Sequence, residues 1–139
     1  MSACNDNKSE SKVILVSCSG MCVHGQISAG AVHQVLYEKA KGTCDWICPA
    51  SIQAGIDWQL DRLKNARAII AVPGCPELCD VKSLRKAGFK PDKIVPAYKV
   101  CDFEPWGIEL PDIPTAERQD MIDKLSDVIA QEVAKVRNL

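Results

Sequence analysis

The sequence has no hydrophobic run that approaches the roughly 18 residues needed to cross a membrane. It also has no excess of charge, because 17 basic and 18 acidic side chains leave a net charge of -1 at pH 7. We therefore expect neither a membrane nor a nucleic acid as a partner, and the sequence does not identify protein partners. Residues 1–11 are polar and lack the apolar core of a signal peptide, so we expect a flexible N-terminal tail and a cytoplasmic protein.

Cysteine, in contrast, is abundant, with eight residues in a chain of 139. In a reducing compartment this number favours metal binding or thiol chemistry over disulfide bonds. Two of the cysteines, Cys75 and Cys79, stand four positions apart, just after an apolar segment that ends in Pro73-Gly74. What the other cysteines do depends on where the fold brings them.

Short apolar segments alternate with segments of helical periodicity. The apolar segments, rich in β-branched residues, predict strands over residues 12–17, 44–48, 67–72 and 93–98. Apolar spacings of three and four predict helices over residues 26–41, 52–65, 76–88 and 115–136. Strands that alternate with helices form parallel sheets through right-handed crossovers. We therefore predict an α/β fold, a three-layer sandwich with a four-stranded parallel sheet of flavodoxin-like or Rossmann-like order 2-1-3-4.

Three cysteines lie at the ends of predicted strands. Cys18 follows the first strand, Cys48 ends the second, and Cys75 comes just after the third. In the order 2-1-3 the carboxyl ends of these strands are neighbours, about 5 Å apart per strand, and parallel sheets form their sites at this edge. Cys79 lies about one helical turn beyond Cys75. We therefore expect these four thiols to converge at one edge of the sheet.

Four convergent thiolates suit zinc, which takes soft donors in a tetrahedron with Zn–S distances of about 2.3 Å. Predicted helix N-termini at the same edge favour the thiolate form. Cys22 in the first loop and Cys101 after the fourth strand are two additional candidate ligands. Six candidates for four positions leave the ligand set open. An iron–sulfur cluster is an alternative cofactor, since Cys thiolates hold these clusters too.

Several short motifs, which occur in the family's order along residues 12–98, resemble those of the DGC-domain family of small zinc-binding proteins. The motifs are Cys18-Ser19-Gly20, Gly25-Gln26-Ile27-Ser28, Cys48-Pro49-Ala50 and Gly74-Cys75-Pro76-x-x-Cys79. The resemblance implies that residues 12–139 form a single DGC-like metal-binding domain of undetermined cellular role. The zinc ligands that it implies are Cys18, Cys48, Cys75 and Cys79. One position departs from the family, since Pro73 stands where the Asp-Gly-Cys motif has Asp.

The first loop also suggests a different function. A cysteine between a strand and a helix resembles the start of the Cys-x5-Arg loop in which low-molecular-weight phosphatases hold an oxyanion. The corresponding position here is His24, so the bidentate arginine clamp is absent. We interpret His24 as a solvated loop residue, with a ligand or proton carrier as the alternative. The alternative to metal binding is therefore a thiol-dependent enzyme, redox or oxyanion-processing, with Cys18 or Cys75 as nucleophile.

Overall fold

The computed structural model describes residues 11–18, 20, 22–102 and 113–138, so all of the predicted tail except Ser11 lies outside the described residues. Within these residues the sheet has four parallel strands in the predicted order β2-β1-β3-β4. They are β1 (Val13–Ser17), β2 (Cys44–Trp46), β3 (Ala68–Val72) and β4 (Lys93–Ile94). The central strand β1 pairs with β3 along its whole length, from Val13 opposite Ala68 to Ser17 opposite Val72.

Helices fill the connections between the strands. In chain order they are α1 (Val23–Gln34), a π-helical segment (Val35–Lys39), α2 (Pro49–Ala54), α3 (Asp57–Lys64), α4 (Cys79–Lys86), α5 (Ala97–Val100) and α6 (Thr115–Arg137). None of the helices in the described ranges is long and apolar enough to span a bilayer.

Several predicted elements differ from the observed ones. The first helix begins at Val23 and ends in the π-helical segment, and the second strand ends at Trp46, two residues before Cys48. The helix predicted over residues 52–65 is two helices, because Gly55 takes a left-handed conformation (φ 68°) and ends α2. The fourth strand is short, since Pro96 lacks the N–H that a ladder needs and precedes helix α5. The helix after β3 begins at Cys79, because the residue before it, Leu78, is left-handed with φ 56°.

The side chains of β1 alternate between the two faces of the sheet. Val13 and Leu15 pack with residues of α1 and α6, whereas Ile14 and Val16 pack with residues of α2, α3 and α4. Helices therefore cover both faces, which is the predicted three-layer arrangement. The loops after the strands meet at the carboxyl edge, where the predicted site residues lie.

Candidate metal centre

The carboxyl ends of β1 and β3 are tied together by the buried hydroxyl group of Ser28 in α1. Ser28 Oγ accepts a hydrogen bond from the Cys18 backbone N–H at 3.1 Å and donates one to the Val72 carbonyl oxygen at 2.5 Å. Strand order reverses between β1 and β3, and parallel sheets place their sites in the crevice at this switch point. Ser28 thus fixes the spacing of the two loops that carry Cys18 and Cys75.

These two loops pack backbone against backbone. A Cβ atom on Gly74 would lie 2.7 Å from the carbonyl oxygen of His24, across the contact between the two loops. Within the first loop, a Cβ atom on Gly25 would lie 2.4 Å from the carbonyl oxygen of Gly20. Both distances are shorter than carbon–oxygen packing allows, so the contact between the loops needs glycine at position 74 and the path of the first loop needs glycine at position 25. His24 is buried in the first turn of α1, so its interpretation as a solvated loop residue is wrong.

The Cys18 side chain lies at this contact and is 8% exposed. Its Sγ accepts a hydrogen bond from the Gly20 N–H at 3.3 Å and another from the backbone of Gly74. Burial raises the pKa of the Cys18 thiol, and the two hydrogen bonds oppose that effect. Two backbone donors directed at one sulfur stabilise a thiolate once a cation offsets the cost of burial.

Asp80, the residue after Cys79, brings a fully buried carboxyl group to the same place. Burial raises its pKa to about 6, against the opposing effect of backbone hydrogen bonds, and its charge helps to raise the pKa of Cys18. Asp80 Oδ1 accepts the Val81 N–H at 2.8 Å, whereas Oδ2 has no hydrogen-bond partner among the described residues. Buried polar atoms are nearly always paired, and a cation would supply the missing partner.

The four predicted ligands share the carboxyl edge without forming a closed group. Cys48 caps α2 and is exposed, Cys75 is half-buried in the turn after β3, and Cys79 is the exposed first residue of α4. Across the described part of the chain, no three His, Cys, Asp or Glu side chains are grouped so as to hold a metal ion. The ligand set of Cys18 and these three cysteines therefore stays a prediction.

The two additional candidates lie in different surroundings. Cys22 caps α1, and a Cβ atom on Gly20 would lie 3.4 Å from its Sγ and 3.2 Å from that of Cys18, so both sulfurs flank one glycine. The Cys101 thiol instead donates to the Met121 carbonyl oxygen in α6 at 3.5 Å, and burial raises its pKa. Cys22 is thus a neighbour of Cys18, whereas Cys101 belongs to the packing of α6.

Sequence reasoning missed Ser28 and Asp80 as members of the site. Ser28 lies in one of the motifs named above, but a serine in a helix gives no sign that it will bridge two strands. Asp80 is an acid in the first turn of a helix, an ordinary position on an exposed face, and its burial depends on the fold. Pro73 is buried, and its carbonyl oxygen accepts the Ala97 N–H at 2.8 Å. Residue 73, where the family motif has Asp, thus supplies no acidic group, whereas Asp80 places one beside Cys18.

The fold and this edge define a cysteine-rich α/β domain whose thiols follow neighbouring parallel strands. The family model of the DGC domain matches residues 14–101, which make up more than half of the 139-residue chain. The chain belongs to the DGC domain family, as the resemblance of its motifs implied. Searches of the curated proteins and of the solved structures found no significant match. The matched range contains all six candidate cysteines.

Proposed function

We propose that the chain binds a zinc ion at the carboxyl edge of its sheet. The ligands that we propose are Cys18, Cys48, Cys75 and Cys79. Thiolate sulfur is a donor that zinc prefers, and the chain places these cysteines after three neighbouring strands. A shell of four thiolates is closed, so the metal has a structural or storage role rather than a catalytic one.

The observation that carries this proposal is a pair of buried acids, the thiol of Cys18 and the carboxyl group of Asp80. Burying these two groups as anions is unfavourable unless a cation accompanies them, because the two negative charges repel each other and lose their hydration. Asp80 Oδ2 has no hydrogen-bond partner within the described residues, and the Cys18 sulfur accepts two backbone hydrogen bonds. Both features suit groups that become anions beside a metal ion, which deprotonates a coordinating thiol.

Two helix N-termini support the same proposal. Cys79 is the first residue of α4, and Cys22 is the cap residue of α1, with its carbonyl oxygen accepting the Gln26 N–H at 3.0 Å. The positive end of a helix attracts negatively charged groups. The edge therefore combines soft donors with a local potential that suits a negatively charged assembly of sulfur ligands and metal.

The test is metal analysis of the full chain purified without added metal, followed by titration with Zn²⁺ and Co²⁺. We expect about one equivalent of bound zinc, and in the cobalt form intense absorption from sulfur-to-metal charge transfer. Cys75→Ser is expected to lower the zinc content sharply. The matched control is Cys44→Ser, because Cys44 is a buried cysteine at the opposite, amino end of its strand.

Two results would contradict the proposal. One is a folded protein that takes up neither metal and keeps all its thiols reactive. The other is equal zinc loss in the Cys75→Ser and Cys44→Ser variants, which would point to general destabilisation. A brown protein that contains iron and labile sulfide would instead establish the iron–sulfur alternative.

In the alternative function, a thiol-dependent enzyme, Cys75 is better placed than Cys18 to act as the nucleophile. A reactive thiol is accessible and has a low pKa, whereas Cys18 is buried and its pKa is raised. Cys75 is half-buried in the loop after β3 and is the better candidate. Alkylation of the metal-free protein as a function of pH separates the two functions, because an enzyme of this kind has a single thiol that reacts well below pH 8.

A further inference from the structure

A cavity opens on the β2 side of β1, between the two strands, α1 and the π-helical segment. Its volume is about 230 Å³, and a cavity of roughly 150 Å³ with hydrocarbon walls is known to hold benzene. The space therefore accepts one six-membered ring and a few substituent atoms.

The walls of this cavity are apolar inside and aromatic at the rim. The buried residues that form its apolar part are Leu15, Val32, Leu36 and Ile47. At the rim the rings of His33 and Tyr37 meet edge to face, with centroids 5.9 Å apart, and Trp46 supplies a third ring. The Tyr37 side chain is 61% exposed although it is large and aromatic. An aromatic ligand in the cavity would cover it through the ring contacts that aromatic pairs favour.

Two small polar groups also line the cavity, the hydroxyl group of Ser17 and the thiol of Cys48. Ser17 is the last residue of β1, and Cys48 lies two residues beyond the end of β2, where it caps α2. Their side chains make no hydrogen bond within the part of the chain that the structure describes. They are thus available to a ligand that carries a hydrogen-bonding group. A few polar groups on an apolar wall are the usual composition of small-molecule sites.

The backbone of one wall is a π-helix, an uncommon conformation that recurs at functional sites. It spans Val35–Lys39 and ends where the Ala40 N–H donates to the Val35 carbonyl oxygen at 2.8 Å. The consecutive residues Leu36 and Tyr37 of this segment both line the cavity. The π-helix is therefore a second feature, independent of the side chains, that marks this place.

We propose that the cavity binds a small monocyclic aromatic molecule with a hydrogen-bonding substituent, of the phenol class. The ring lies against the apolar wall beside Tyr37, and the substituent faces Ser17 or Cys48. Although Cys48 is also a proposed zinc ligand, ring binding requires no metal, so the two proposals can fail separately.

The test is a titration of para-cresol into the ¹⁵N-labelled, metal-free full chain, followed by NMR. We expect saturable shifts of backbone amides that line the cavity, with a Kd of about 1 mM or lower, which is ordinary for a ligand of this size. The comparison ligand is 4-methylcyclohexanol, which has the same substituents and no aromatic ring. It is expected to bind several-fold more weakly.

Two tyrosine variants test whether para-cresol binds in this cavity. Tyr37→Ala is expected to raise the Kd of para-cresol roughly two- to tenfold, the range expected for one aromatic contact. Tyr98→Ala is the matched control, because Tyr98 lies in α5, away from the cavity lining, and its loss should leave the Kd unchanged. The proposal is overturned by an absence of saturable shifts at ten times the expected Kd. Equal affinity for 4-methylcyclohexanol, or equal losses in the two variants, would also overturn it.

Discussion

The two sides of β1 differ at its carboxyl end. On the β3 side Ser28 bridges the strand ends and the thiol of Cys18 and the carboxyl group of Asp80 are buried. On the β2 side a cavity stays open, with Cys48 and Tyr37 exposed at its rim. One strand thus borders a closed, polar crevice and an open, largely apolar one. The crevice closes because its loops carry glycines at their contacts.

The closed side depends most on Gly74, and the largest expected effect is that of Gly74→Ala. The added Cβ atom would meet the backbone carbon and oxygen of His24 at 2.8 and 2.7 Å, and a backbone cannot move aside as a flexible side chain can. We expect a loss of about 3 kcal/mol in the free energy of unfolding, at the upper end for overpacking. Urea denaturation of the metal-free protein measures it.

The matched control for this change is Gly55→Ala. Gly55 has φ 68°, but nothing lies within 4 Å of the position that its Cβ atom would take. The variant should lose only about 1 kcal/mol, the cost of a left-handed alanine. Equal losses in the two variants would show that the contact between the loops does not hold the crevice closed.

The next effect concerns the buried carboxyl group of Asp80, whose pKa is raised to about 6 from 3.8. A raised folded-state pKa means that the folded protein keeps a proton that the unfolded chain has lost. The stability from this group is therefore full below about pH 4 and is lost as pH rises through about 6. The difference between 3.8 and about 6 corresponds to about 3 kcal/mol in the metal-free protein.

Asp80→Asn is expected to remove this pH dependence. At pH 7 the metal-free variant should be more stable than the natural chain by about 2 kcal/mol, because the new amide N–H groups cost part of the gain. Added zinc should reverse the order, since a cation stabilises the carboxylate. Urea denaturation at pH 4 and pH 7, with and without zinc, provides the measurement.

The control for Asp80 is Asp123, an exposed carboxylate whose pKa is shifted in the opposite direction. Hydrogen bonds from Gln34 and Gln119 hold the pKa of Asp123 below its usual value. The stability from Asp123 is therefore present at neutral pH and lost as pH falls. If Asp80→Asn and Asp123→Asn changed the pH dependence in the same direction, the assignment of a buried, destabilising charge to Asp80 would be wrong.

The fold was predictable because its signals are local. Apolar segments such as residues 12–17 and 67–72 have the length and composition of strands buried on both faces, and their alternation with helices determines a parallel sheet. The order 2-1-3-4 was predicted as the flavodoxin-like arrangement of such a sheet and was confirmed. The errors lie at ends, as at Pro96 and Gly55, where one residue decides whether an element continues.

The site was less predictable because its chemistry depends on burial. The strand order places Cys18, Cys48 and Cys75 at one edge, and a sequence can show that much. It does not show that Cys18 is buried while Cys48 is exposed, or that Asp80 loses all contact with water. These differences arise from the packing of loops that are far apart in the chain, and no periodicity reports them.

The smallest expected effect compares the cysteines on the two sides, in the absence of metal. Cys18→Ala leaves the N–H groups of Gly20 and Gly74 without their sulfur acceptor, which costs about 1 to 2 kcal/mol in the free energy of unfolding. Cys48→Ala changes an exposed side chain and should stay within about 0.5 kcal/mol of the natural chain. Parallel urea denaturation in the presence of a chelator measures both.

Equal values would mean that the two sides of β1 are equally open, so the contrast between them would not hold in solution. A larger loss for Cys18→Ala would locate the stabilising contacts of the thiols on the β3 side, where the metal proposal needs them.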